Sequence, residues 1–355
     1  VLETDAVRLW TPGDDVAVVS FKSKMHAIGE DVLDGIAESL ERAERDFAGL
    51  VIWQTEPPFS VGANLAGPSA PKADRPKPSG LASMMKKVRR QAESAILKAA
   101  HKLNVADALM AGRLEKVEGV VAQFQQTSLM LRYASIPTVA AVDGMALGGG
   151  CEFAMHTART VAALESYLGL VEVGVGLLPA GGGCKELALR AAQDAKGADL
   201  FPFVRRGFEA IATAQVSRSA AQARELGLLR PTDLVVMHRH ELLHIAIGEV
   251  HAMVGQGWRP PLPAAAIPVA GRSAAATFKA HMTNLREGGF ISAHDWTIGA
   301  KVAHVITGGD VDGGTTVDEQ WLLDLEREAF MELIATPLTQ ARIDHMLKTG
   351  KPLRN

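Results

Sequence analysis

Cysteine is nearly absent from this chain: its 355 residues include two, Cys151 and Cys184. Two thiols cannot build a disulfide framework, and both stand beside glycines in apolar surroundings, so reduced, structural thiols are expected. Long apolar runs are also missing. No uncharged stretch approaches the roughly 20 residues that span a bilayer, and the opening "VLETDAVRLW" lacks the basic-then-apolar form of a signal peptide. A cytoplasmic chain is therefore expected, and the start at Val1 suggests a piece of something longer. Charge is nearly balanced, with 37 Lys and Arg against 40 Asp and Glu for a net charge of -3. Nothing in that balance calls for nucleic acid or a membrane as partner. What is present is an ordinary globular composition, 47% hydrophobic and 22% charged, sufficient for one large domain or two medium ones.

Three nucleotide or metal motifs fail on inspection. Gly174-x-Gly176 lacks the GxGxxG continuation and does not follow a first strand, so no NAD site is expected. "GLLPAGGGCK" is not a P-loop, because Lys185 neither follows a glycine directly nor precedes Ser or Thr. The acidic residues of "TGGDVDGG" (307–314) do not match an EF-hand. One motif does match literally: His240-Glu241-Leu242-Leu243-His244 reads HExxH, which on a helix could hold zinc between two histidines while the glutamate acts as base. Its downstream context is poor, since Ile247 and Val250 stand where a metzincin needs Gly and His, and no Glu follows in "GQGWRPPLPAAAIPVAGR". A zinc hydrolase is carried as an alternative, with no metal in the main reading.

Along the chain, short apolar runs alternate with amphipathic ones. "VAVVSF" (16–21), "GLVIWQ" (49–54) and "PTVAAVDG" (137–144) predict buried strands, and residues 30–46 and 113–134 predict helices with apolar residues at helical spacing. This alternation gives an α/β fold class. From about Ser217 strand signals fade and the remainder reads as helical, so the chain divides into an α/β core over 1–216 and a helical C-terminal region over 217–355. The core contains a Pro-rich loop and basic helical insertion at 66–103. From Lys72 to Lys102 it has six Lys and three Arg against Asp74 and Glu93. A solvated face explains such a run as well as a docking surface or a counter-charge for phosphate does.

The stretch "MALGGGCEFAM" (145–155) sets three glycines and a lone carboxylate, Glu152, within apolar sequence. If a helix opens near Gly149, its unpaired N-H groups lie at the positive end of the helix dipole and can hold charge developing on a carbonyl oxygen. Close helix packing would also explain the glycines.

Taken with "FSVGANL" (59–65) and "YLGLVEVGVGLLPAGGG" (167–183), this stretch resembles the crotonase superfamily, from about Trp10 to Leu229. The tail "ARIDHMLKTGKPLRN" is similar to the C-terminal end of bacterial two-part β-oxidation proteins, which join a crotonase part to a 3-hydroxyacyl-CoA dehydrogenase part, and on that resemblance the chain is the crotonase part. The resemblance implies a crotonase-type ββα spiral that hydrates an enoyl-CoA, with the coenzyme A thioester as substrate and no further cofactor. It implies an oxyanion hole from the backbone N-H groups of Val61 and Gly149, catalytic acids at Glu152 and Glu172, and substrate contacts at Met25, His26, Ala27, Gly62, Ala63, Asn64, Gly148 and Gly150. Asn64 stands where the family often has Asp, and Val61 is bulkier than usual. Lys86, Lys87, Arg89 and Arg90 become candidate partners of the CoA phosphates. A homotrimer or hexamer and a dehydrogenase part or partner are also implied. An isomerase of the same fold and a non-catalytic acyl-CoA-binding domain are the remaining alternatives; retention of both glutamates favours the hydratase.

Overall fold

Strands buried on both faces carry near-continuous apolar sequence, and the centre of this molecule is built from such runs. The computed structural model describes residues 1–13, 15–63 and 105–355, the side chains of 105–112 excepted. The whole basic insertion at 66–103, with Lys86, Lys87, Arg89 and Arg90, and the site candidate Asn64 lie outside the described residues.

The main sheet has seven strands in the order β1-β2-β3-β4-β5-β7-β9. β1 (Leu2–Glu3), β2 (Val7–Trp10) and β3 (Val16–Phe21) pair antiparallel. From β3 onward, β4 (Gly49–Trp53), β5 (Thr138–Val142), β7 (Arg159–Ala163) and β9 (Leu234–Val236) pair parallel. Alternate residues of each strand face opposite ways. Val19, Leu50, Ile52 and Ala140 join one apolar cluster with Val32, Leu33, Ile36 and Leu40 of α1 (Glu30–Asp46). Val16, Val18, Val51, Val139, Ala141 and Val161 face the other way, onto Leu242, Ala246, Val250 and Met253 of α7 (Leu242–Gly255). α1 ends where the dipole favours it, with Glu30 and Asp31 in the first turn and Arg45 in the last.

The expected strands at 16–21, 49–54 and 137–144 and the helix at 30–46 are present, and the helix expected at 113–134 is α2 (Val105–Arg132). The helical reading beyond residue 217 has a notable exception. β9 adds itself to the main sheet beside β7, and a further pair, β10 (Ile267–Pro268) and β11 (Thr316–Val317), forms a separate two-stranded ribbon. A three-residue strand is too short to show periodicity.

After β5 the chain leaves the main sheet at Gly144 and forms β6 (Met145–Leu147), which pairs parallel with β8 (Tyr167–Gly169) in a second small sheet. Between them lie α3 (Gly149–His156) and β7. The remaining helices are α4 (Gly183–Ala195), α5 (Phe201–Ala212), α6 (Ala220–Glu225), α8 (Gly271–Glu287), α9 (Ala293–Ile306), α10 (Glu319–Ile334) and α11 (Pro337–Thr349). α9 packs on α4, α5 and α8, and α10 packs on α2 and α4, so the C-terminal helices close over the glycine-rich loop before α4.

Candidate active site

The three sequence motifs meet side by side. Ser60 bridges in parallel to Ala146 of β6, and Ala146 pairs with Leu168 of β8. Immediately beyond this row each segment turns: at Gly62, at the start of α3, and at a 3-10 turn over Glu172–Val175. Gly62 has φ +90°, and a Cβ there would come within 2.7 Å of the Leu147 carbonyl oxygen and 3.0 Å of the Gly149 nitrogen. The backbones of the first two motifs therefore touch without intervening side chains, which only glycine permits. Gly150 lies equally close to Ser60, and Ala63 continues the contact by bridging to Ile28.

α3 begins at Gly149, as the glycine run predicts, with Gly148 as its N-cap. Among the described residues, the Gly149 N-H meets no acceptor. The Val61 N-H donates to the Met25 carbonyl over a long 3.4 Å. Met25 and His26 both hold positive φ, 56° and 54°, a costly state for non-glycine residues. Two bonds hold the segment in place: His26 Nδ1 lies 2.6 Å from the Pro58 carbonyl oxygen, and Ser60 Oγ donates to the His26 carbonyl at 2.7 Å. Ser23 Oγ donates to the Ala27 carbonyl. Met25, His26 and Ala27 thus gather beside Val61.

Glu152 lies on the first turn of α3 and is buried. Its Oε1 accepts the N-H groups of Gly181 and Gly183, each at 2.8 Å. Burial nevertheless pushes its pKa up to about 7, because desolvation outweighs the stabilisation from those two donors and from Lys185. Glu172 begins the 3-10 turn and directs Oε1 toward Gly148, where a Cβ would stand 2.9 Å away. Its Oε2 is buried and has no hydrogen-bond partner among the described residues. Burial and then the charges of Glu152 and Glu326 raise its pKa well above the carboxylate range. An orphaned buried oxygen of this kind marks where a donor from a ligand or water would be accommodated.

Sequence reasoning missed the third acid. Glu326 of α10 is fully buried and accepts N-H groups from Gly182 at 3.0 Å and Lys185 at 2.6 Å. Burial and the nearby Glu152 push its pKa up to about 8. Behind this loop the Lys185 ammonium, with no exposed surface, lies 2.9 Å from His156 Nε2 and 3.2 Å from Glu319. His156 Nδ1 is 2.7 Å from the Glu152 carbonyl oxygen, so a neutral ring that donates from Nδ1 and accepts at Nε2 satisfies both contacts. Burial and Lys185 accordingly hold its pKa well below the usual imidazole value. Glu186 would be raised by burial, but Arg132, Arg190 and Lys185 hold it well below the carboxylate range.

Comparison with known proteins bears on the family and the fold. Residues 106–197 match the family model described as enoyl-CoA hydratase/isomerase. A crystal structure of an enoyl-CoA hydratase/isomerase from Xanthobacter autotrophicus Py2 is 16% identical and superposes with a TM-score of 0.55, covering 97% of this chain and 94% of that one. A Rickettsia felis protein named "Putative fatty acid oxidation complex trifunctional enzyme" is 28% identical over 55% of this chain and 22% of its own length. The matches support a member of the crotonase superfamily, and the chain has the crotonase fold. A Bacillus subtilis (strain 168) protein named "Probable 3-hydroxyacyl-CoA dehydrogenase" is 40% identical over 97% of this chain, which spans 38% of that relative's length.

In this fold the histidines and glutamate of HExxH lie at the surface. His240 and Glu241 lie in a 3-10 turn and His244 in the first turn of α7; all three are exposed. Among the described residues no group of three or more His, Cys, Asp or Glu could hold a metal ion. The apolar residues of α7 explain the helix as a cover for the sheet. No helix among the described residues is long and apolar enough to cross a membrane.

Proposed function

We propose that this chain adds water to a trans-2-enoyl-CoA, giving a 3-hydroxyacyl-CoA. The observation that carries the reading is the pairing of two destabilised carboxylates, the buried Glu152 and the half-buried Glu172 with its buried Oε2, around the N-terminus of α3, with Glu172 directed at Gly148 and the neighbouring Gly149 N-H without an acceptor among the described residues. Hydration of a conjugated thioester moves negative charge onto the thioester oxygen as water attacks C3, and preorganised N-H donors stabilise that charge. Gly149 supplies one donor. Val61 supplies the other once its long bond to Met25 is exchanged for the substrate oxygen.

The two environments divide the acid and base roles. Glu152, held by two N-H groups, is the more readily ionised; it takes a proton from water as the oxygen bonds to C3 and the C2=C3 electron pair moves toward the thioester. Glu172, whose charge is opposed by burial and by its neighbours, keeps a proton and delivers it to C2. Transfer of the proton from Glu152 back to Glu172 closes the cycle, and the net change is addition of H and OH. The reaction uses no cofactor beyond the CoA carried by the substrate. The Bacillus relative's name and the share of it spanned here support a 3-hydroxyacyl-CoA dehydrogenase part or partner that consumes the product. Assembly as trimers, or pairs of trimers, belongs to the same reading.

The test is hydration of a trans-2-enoyl-CoA by the purified chain, followed by loss of enoyl-thioester absorbance. The wild type is expected to turn over, and Glu152→Gln and Glu172→Gln each to lose about 10²- to 10⁴-fold in kcat. A wild type that shifts the double bond without taking up water is an isomerase, and one that binds acyl-CoA without converting it is a binding domain.

A further inference from the structure

The glycine loop before α4 divides its N-H groups between two acids in strict alternation. Gly181 and Gly183 donate to Glu152, whereas Gly182 and Lys185 donate to Glu326. Glycines at 181–183 have no Cβ to limit their peptide planes, and Gly182 sits at φ +108°, where a side chain would collide with His156. The loop conformation is therefore set by what its N-H groups bind. One anchor comes from α3, within the assigned site; the other comes from α10, 144 residues further along than Gly182.

We infer that Glu326 is a positioning residue for the proposed hydration: by gripping the Gly182 and Lys185 N-H groups it turns the intervening peptides so that Gly181 and Gly183 converge on Glu152 Oε1. The inference rests on the hydratase reading and extends it to a helix outside the family motifs. The groups facing Glu326 are Glu152 from α3, Glu172 from the 3-10 turn, and Cys184 and Lys185 from α4. Nearby charges are engaged elsewhere: Arg132 of α2 pairs with Glu186 and Glu319, and Lys301 of α9 pairs with Glu332. A simpler role as a distant cap for α4 accounts for both bonds, because Gly182 is its N-cap and Lys185 its third residue, but a cap alone does not require the neighbouring Gly181 and Gly183 N-H groups to converge on Glu152.

Glu326→Gln and Glu326→Asp distinguish the two roles. In Glu326→Gln, kcat falls on the order of 10- to 100-fold with KM nearly unchanged, as misplacement of a catalytic group does. The pH profile narrows from both sides. Its acidic limb rises because Glu152 loses aligned N-H donors, and its alkaline limb falls because Glu172 loses a like-charged neighbour. Glu326→Asp keeps the charge but withdraws it by one methylene, so kcat falls while the alkaline limb stays near that of the wild type. A lower melting temperature with kcat and both limbs unchanged identifies a cap and overturns the inference. If Glu326→Gln does not fold, Glu326→Asp decides: an unchanged kcat overturns the inference. Should the wild type itself fail to hydrate, the hydratase reading falls separately. Carbon-13 NMR of the Glu152 carboxyl then serves, and an unmoved titration midpoint in the Glu326 variant overturns the positioning role.

Discussion

Glu172 Oε1 fills the space that a side chain at Gly148 would need, 2.9 Å from the position of its Cβ. Gly148 also holds φ +52° and ψ -126°, outside the ordinary range of L residues. Gly148→Ala should therefore combine about 1–3 kcal/mol of backbone strain with displacement of the acid. The expected result is a folded protein with a modestly lowered melting temperature and a kcat reduced on the order of 100-fold, measured by hydration and thermal melts together.

For the proposed hydration, the pH dependence follows from the two acids. Glu152 must be ionised to accept a proton, so kcat/KM rises through about pH 7. Glu172 must be protonated to deliver one, and its raised pKa puts the falling limb at higher pH. The profile is a bell whose apparent pKa values belong to the pair. Removing Glu172 as Gln leaves a weak residual rate without the alkaline limb, which a pH series on both variants would reveal.

Stability should depend on pH in the opposite sense to that of a salt-bridged carboxylate. For Glu152 and Glu326 the folded pKa lies above the ordinary 4.5, at about 7 and about 8. Their contribution is fully present below the unfolded value and is lost as pH rises through the folded values, because the native state there binds more protons than the unfolded one. Urea midpoints should fall between about pH 5 and about pH 8 and then level off. Glu186, held low by Arg132, Arg190 and Lys185, works the other way: its contribution is lost only in strong acid, as pH falls through its depressed folded value. A midpoint that rises steadily from pH 5 to 8 would sink this account of the interior.

Lys185→Met should cost on the order of 3–5 kcal/mol. It removes the cation shared by His156 and Glu319 while leaving those groups buried. Equilibrium unfolding in urea measures the loss.

Both thiols are buried, and desolvation raises the pKa of each, with nearby carboxylates adding to the effect. Neither Cys151 nor Cys184 should react with a disulfide reagent in the native protein, and both should react once it is unfolded. Rapid labelling of either under native conditions would contradict the structural role read from their surroundings.

The parts of this site that were legible in the sequence are those whose geometry is local. A glycine run followed by Glu152 encodes its own helix start, and Glu172 opens a short turn that its own motif closes at Gly176. Glu326 was hidden because nothing in "EQWLLDLEREAFMELI" distinguishes it from the solvated acids of an amphipathic helix; only the packing of α10 onto the glycine loop does. The same holds for Lys185 and Glu319, which are distant in sequence and meet in the interior. β9 escaped notice because three residues hold no pattern, and "HELLH" drew attention because composition alone can imitate a metal motif.

The position of α7 bears on how the chain acquires its shape during synthesis. The valines of β3, β4, β5 and β7 that face α7 are all made long before residues 242–253 leave the ribosome. Until then the valines that α7 covers are without that helix, an apolar surface of the kind that recruits chaperones or neighbouring chains. A chain released at residue 216 would carry every motif of the site and still be expected to aggregate, because the helix that shields those valines has not been translated.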